Sequence, residues 1–325
     1  MAAQRTGAVP GSLRGPAYSP GMLSFVFPGQ GSQKPAMGAP WVDSPSWSVV
    51  ARLSDATGRD IAALLLDADA PTLTATANAQ LATFALSLVA LDAVRLAGVD
   101  AAVVAGHSLG EYSALVAAGV VAPEDCARLV DARGRAMAAA IEARQGTMAA
   151  VIALAPDEVA AACASVEGAW VANDNAPGQV VIAGTRAGVA AASDAAKERG
   201  AGRVLPVAVS GAFHSPLMKP AQANLDAALA AATFGEARLP VVANVDASSH
   251  GPGPADWVGL LSAQLTSPVR WRETLLRLAA LGVTAIAEVG PGSVLVGTAK
   301  RTVPDLHRHS IGSPDAVAAL VGALE

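Results

Sequence analysis

This sequence predicts an α/β fold with a mainly parallel sheet, interrupted by a small ferredoxin-like domain. Two observations carry the prediction. Short apolar runs of strand character alternate with helical stretches in the first and last thirds of the chain, the pattern that builds a parallel sheet covered by helices. Between them the order changes to β-α-β-β-α-β, the split arrangement of a ferredoxin-like unit. The larger domain is expected over 22–146 and 209–325, the insert over 147–208, and a disordered leader over 1–21.

The leader carries two arginines, three prolines and no acid, and its prolines and glycines break any amphipathic helix of a transit peptide. Ordered sequence starts with the strand MLSFVF (22–27), which turns through PGQGSQ (28–33). VDAAVVAG (99–106) is a second short buried strand, and EYSALVAAG (111–119) a helix stopped by Gly119. APEDCARLVDARGRAMAAAIEA (122–143) reads as a longer helix, with Pro123 in its first turn and Glu124 and Asp125 at the positive end of its dipole. In the insert, TMAAVIAL, AWVANDNA, QVVIAGT and RVLPVAV are strands, and PDEVAAACASV and RAGVAAASDAAKERG are helices. The larger domain then resumes with LPVVANV (239–245), helical stretches around 255–281 and the strand TAIAEVG (284–290).

Composition narrows the class. Apolar residues make up 52% of the 325 and aromatics only 4%, a mix expected of a helix-rich soluble protein with a well-buried core. Long apolar stretches such as LATFALSLVAL (81–91) are closed by Asp92 and Arg95, short of the roughly 18 apolar residues of a membrane span. A net charge of −5 argues against a nucleic-acid partner, which calls for a basic stripe. Cys126 and Cys163 show neither metal-ligand spacing nor a disulfide framework, so a reducing compartment, the cytoplasm, is expected.

Chemistry concentrates in GHSLGEYSAL (106–115), where Ser108 stands in a G-x-S-x-G pattern between a strand and a helix. A nucleophile elbow needs that context, with small residues two before and two after the serine. A plain helix-capping serine is the alternative, and the context favours the elbow. Among five histidines, His107 adjoins Ser108 and would splay away from it, His250 lies in a Gly/Pro-rich loop, and His307 and His309 sit in a polar segment. His214, in GAFHSPLM, directly follows the insert's last strand; it is either a structural histidine or the base. Arg133 falls on the apolar stripe Cys126, Leu129, Val130, Met137, Ile141 of its helix, whereas Arg128, Asp131 and Arg135 fall off it. A core-facing guanidinium needs an anion or a hydrogen-bond network. That leaves a structural ion pair, a snorkelling side chain, or a fork for a substrate carboxylate.

Taken with FVFPGQGSQ, NAQLATFAL, ARGRAM, NDNAPGQVVIAG, QLTSPVRW and EVGPGSVL, these residues resemble the malonyl-CoA:acyl carrier protein transacylase family, from about Phe25 to past Leu295. The resemblance implies a hydrolase-like core with a ferredoxin-like insert. It implies Ser108 as nucleophile, His214 as general base and acid, and the backbone carbonyl of Gln264 in place of a triad carboxylate. The oxyanion hole would be the N–H groups of Gln30 and Leu109. Arg133 would bind the malonyl carboxylate, Gln80 would line the same pocket, and Asn173 and Asn175 would lie near the coenzyme. Phe213 resembles the bulky residue of malonyl-selective members and would crowd a methyl branch. Because a methyl group is worth only about 1–3 kcal/mol, that selectivity would be leaky.

A buried arginine penalises a neutral acyl group, whose binding leaves the charge desolvated and unpaired, and favours a dicarboxylic half-thioester. The expected reaction is ping-pong transfer of malonyl from malonyl-CoA to the phosphopantetheine thiol of acyl carrier protein, with no metal or redox cofactor. Acidic carrier proteins would dock on Lys300 and Arg301, with Arg203, unless these are ordinary solvated charges. The alternatives are an acyltransferase acting in trans in polyketide synthesis, a serine thioesterase or hydrolase, and a carrier-binding module with a vestigial site.

Overall fold

The computed structural model describes residues 21–209 and 211–325; the expected leader, apart from Gly21, lies outside the described residues. Among the described residues ten strands form two sheets. The strands β1 (Met22–Phe27), β2 (Val103–Gly106), β7 (Val241–Val242), β8 (Ser249–His250), β9 (Val283–Val289) and β10 (His307–Ile311) line up in the order β10-β9-β1-β2-β7-β8. Every pairing in this sheet is parallel except β7 with β8. The central strand β1 explains its own sequence: Leu23, Phe25 and Phe27 pack into one core cluster and Val26 into another. A strand buried on both faces must be apolar almost throughout.

The helix Thr76–Leu96 lies in the larger cluster. It runs on through Asp92 to Leu96, past the point where the charges close the apolar stretch in the sequence. By length and composition it could cross a membrane, yet 78% of its most apolar window is buried inside the protein. Here it is a core helix.

The second sheet comprises β3 (Thr147–Ile152), β4 (Ala169–Ala176), β5 (Gln179–Gly184) and β6 (Arg203–Val207), antiparallel in the order β4-β5-β3-β6. With the helices Pro156–Ala164 and Arg186–Glu198 this is the β-α-β-β-α-β order read from the sequence. Alternation along the strands divides the faces. Val151, Val180 and Ile182 pack with Val159 and Val189 of the two helices, while Met148, Val181 and Val207 line a cavity against the core.

β4 ties the insert to the segment of the larger domain that leads into the helix Trp271–Ala280. Asp174 N–H donates to the Val269 carbonyl and Val269 N–H to that of Ala172, at 3.0 and 2.9 Å. The Asp174 carboxylate also pairs with Arg272 at 2.8 Å. Two register shifts in β4, flanking Asn173 and Asp174, re-aim its side chains, and Asn173 and Asn175 both line the cavity.

Candidate active site

The strand β2 ends in Gly106, and a helix begins at Gly110 (Gly110–Ala117). Ser108 sits between them with φ 53°, a left-handed conformation that L residues adopt at a cost of about 1–3 kcal/mol. Both glycines are required by close approach. A Cβ at Gly106 would lie 1.9 Å from the Gly110 carbonyl carbon, and one at Gly110 would lie 2.0 Å from the Phe27 oxygen. The sharp strand-to-helix turn is therefore an elbow, and the plain-cap alternative falls.

Asn244, fully buried just beyond β7, clamps this turn. Its Oδ1 accepts from Ser108 N–H at 2.7 Å, and its Nδ2 donates to the Gly106 carbonyl at 2.6 Å.

His214 is the histidine that reaches the serine. Ser108 Oγ–H donates to His214 Nε2 at 2.7 Å, and His214 Nδ1–H donates to the Gln264 carbonyl at 3.0 Å. The carbonyl bond fixes the tautomer that leaves Nε2 free to accept. Burial, then the Arg133 charge, push the His214 pKa down to about 3, so the ring is neutral through the physiological range. His107 splays away, as expected, and donates through Nε2 to Asn175 Oδ1 at 2.8 Å with its ring edge-on to Trp271.

Arg133 is 1% exposed and has no carboxylate within salt-bridge reach among the described residues. Its partners are neutral. Nη1 donates to Gln80 Oε1 at 2.7 Å, and Nη2 donates to Gln264 Oε1 at 3.0 Å and to Ser108 Oγ at 3.2 Å. Nε has no acceptor, and the guanidinium lies 5.4 Å from the centre of the Tyr112 ring. The ion-pair and snorkelling alternatives are both excluded. What remains is a buried cation held by amides beside the nucleophile, with burial lowering its pKa from the ordinary arginine value.

Ser108 and His214 open on a cavity of about 440 Å³ between the core and the insert, lined also by Gln30, Gln80, Asn173 and Phe213 among others, with Arg133 behind Gln80 and Ser108. Neither Gln30 N–H nor Leu109 N–H donates to an acceptor among the described residues. Lys300 and Arg301 are exposed on the helix Val294–Thr302, whose Val294 and Thr298 line the cavity. Arg301 donates to Gln179, which is in register with Ile152 of β3, and Ile152 in turn with Arg203 of β6. Arg203 and Arg301 thus flank the same end of the insert's sheet.

Three contributors are not singled out by sequence pattern: Asn244, Glu111 and Trp271. Glu111 lies inside the elbow motif, and an acid at the start of an apolar helix is the signal that could find it. Asn244 and Trp271 sit within the apolar strand run and the QLTSPVRW motif, and nothing local marks them.

An elbow serine on a parallel sheet, a dyad histidine and a buried guanidinium bonded to that serine define a class: serine enzymes that carry acyl groups through a covalent intermediate. Residues 24–325 match the acyl transferase domain family, and the chain belongs to it. It is 44% identical over 306 residues to the malonyl CoA-acyl carrier protein transacylase of Escherichia coli K12, covering 91% of this chain and 98% of that one. Against the protein of the same name from Bacillus subtilis strain 168, identity is 40% over 309 residues, with 93% and 97% covered. Among solved structures, a malonyl-transacylase in complex with a type II polyketide acyl carrier protein superimposes with a TM-score of 0.89 at 38% identity, covering 93% of this chain and 99% of that one.

Proposed function

We propose that this chain is a malonyl transferase that moves a malonyl group from malonyl-CoA to the phosphopantetheine thiol of acyl carrier protein. The observation that carries the reading is Arg133, a fully buried cation with only neutral partners, one of them Ser108 Oγ. A carboxylate on the acyl group supplies the missing anion through two parallel hydrogen bonds, whereas a neutral acyl group leaves the charge unmatched. The named relatives, aligned over nearly their whole length, support the same substrate and acceptor.

The geometry supports a two-stage reaction. Ser108 Oγ attacks the thioester carbonyl as its proton passes to His214 Nε2, and the oxyanion is held by the N–H groups of Gln30 and Leu109. The C–S bond then breaks and the proton passes from His214 to the departing CoA sulfur. In the second stage the carrier thiol gives its proton to His214 and attacks the acyl-serine. The C–O bond breaks and the proton returns to Ser108. Each bond change is accounted for by Ser108, His214 and the two thiols, so we assign no metal or redox cofactor to the reaction. Asn173 lines the path of the pantetheine arm, and Asn175 holds His107 at its wall. Phe213, 7% exposed in the cavity wall, limits branching of the acyl group.

Arg203, Lys300 and Arg301 form the receiving surface for an acidic carrier in this reading. We place the enzyme in the cytoplasm, where its two buried, unpaired cysteines suit a reducing environment. The test is intact-protein mass after brief mixing with malonyl-CoA, and again after adding phosphopantetheinylated carrier protein. A malonyl adduct on Ser108 that persists in water and then moves to the carrier is the expected result. An adduct lost before any acceptor is added makes the protein a hydrolase.

A further inference from the structure

Glu111 is a carboxylic acid buried in the first turn of the elbow helix with no cationic partner in contact, and the chemistry described so far does not use it. Its surroundings are specific. Oε2 accepts from Gln264 Nε2 at 2.6 Å and from Asn244 N–H at 3.4 Å, while Oε1 has no partner. The short Gln264 bond has the length of a charge-assisted one.

Those two partners are the residues that stand behind the dyad. Asn244 holds Ser108 through its own N–H and through the Gly106 carbonyl two residues before it. Gln264 holds the His214 ring with its carbonyl and Arg133 with its side-chain oxygen, and its Nε2 also donates to the Ser108 carbonyl at 2.9 Å. One carboxylate oxygen thus joins the support of the nucleophile to the support of the base. We propose that Glu111 is a positioning residue for both halves of the dyad, its carboxylate fixing Asn244 behind Ser108 and Gln264 behind His214.

Alignment of this kind is steep in its effect, because a misplacement of about 1 Å can slow a reaction on the order of 100-fold. Charge is part of the device. A neutral carboxyl is a weaker acceptor, so protonation of Glu111 loosens both supports. Burial pushes its pKa up to about 7, against the Gln264 and Asn244 bonds and the Arg133 charge, which pull it down. The titratable groups facing it are Arg133 from the helix Pro123–Ala143, Asp246 from the turn after β7 and Tyr112 beside it on its own helix; His214 lies across Gln264. His214 itself, held near 3, leaves no titration in the neutral range.

The inference rests on the transferase reading above, and one experiment separates the two. Single-turnover acylation of Ser108 is followed by mass from pH 5.5 to 8.5 with malonyl-pantetheine, a substrate that has no phosphate to titrate. The parent should gain roughly tenfold in rate with a midpoint near 7. Glu111→Gln, which matches the side chain's size, should lose that rise and run about 10- to 100-fold slower at pH 8.5, with KM within about twofold. Glu111→Asp, charged but shorter, should be slower than the parent yet keep a pH-dependent rise.

A flat parent profile overturns the proposal even if neither variant folds. So does a Glu111→Gln rate reduced by one constant factor at every pH, the mark of a merely structural role. Failure of the parent to form any adduct overturns the transferase reading itself.

Discussion

Arg133 Nη2 lies 3.2 Å from Ser108 Oγ, so the cation that would select the acyl group touches the atom that would receive it. Acyl recognition and nucleophilic attack therefore share one small volume. Replacing Arg133 with Ala should reduce kcat/KM for malonyl-CoA by about 100- to 5,000-fold, the loss of a buried charge pair of about 3–5 kcal/mol. Acetyl-CoA should be affected far less, since it brings no carboxylate. Equal losses for both substrates, measured as kcat/KM, would make the arginine purely structural.

The dyad makes a second prediction. His214→Ala removes the acceptor of the Ser108 proton, and acylation should slow by about 100- to 10,000-fold. Rapid-quench mass measurement gives the rate directly.

Phe213 walls the cavity beside His214. Phe213→Ala should narrow the preference for malonyl-CoA over methylmalonyl-CoA by roughly 10-fold or more, in line with the about 1–3 kcal/mol carried by one methyl group. A competition assay with both thioesters reads the ratio.

Asn244→Ala leaves the Ser108 N–H and the Gly106 carbonyl without their partner inside the core. Each stranded group is worth about 1–3 kcal/mol, so a clear drop in Tm should accompany the loss of acylation. Calorimetry of the free enzyme checks it.

Stability should also carry the signature of Glu111. A folded-state pKa near 7, above the ordinary 4.5, means that the folded protein holds a proton the unfolded chain has released. The carboxylate is therefore destabilising at high pH. The penalty is absent below about 4.5, grows as pH rises to about 7 and then stays level, on the order of 3 kcal/mol. His214 acts in the other direction, losing stability as pH falls from 6.5 towards 3. Comparing Glu111→Gln with the parent isolates the acid: the variant's Tm advantage should increase between pH 5 and 8.

The elbow, Arg133 and the insert were legible in the sequence because each is written locally. Ser108 declares itself by small residues two positions away on either side, and Arg133 by falling on an apolar stripe. The insert shows in the change of element order. Gln264 came only through resemblance, since a backbone carbonyl can belong to any residue. Asn244 was hidden because its role depends on β7 lying beside β2, a long-range fact. The strands also misled in length: 99–106 pairs only from Val103, and 239–245 yields a two-residue ladder at Val241–Val242. β10, sequence HRHSI, looks like a polar segment in the sequence because it is an edge strand with only Ile311 fully buried.

The apolar helix Thr76–Leu96 has a consequence for biosynthesis. Two of the helices packed on it, Pro123–Ala143 and Pro314–Leu324, follow it in the chain, the second by roughly 200 residues. At about 5–20 residues per second, a ribosome needs on the order of 10–40 s to deliver that last cover. For that interval the nascent polypeptide carries a helix as apolar as a membrane span with one side of its cover still to come.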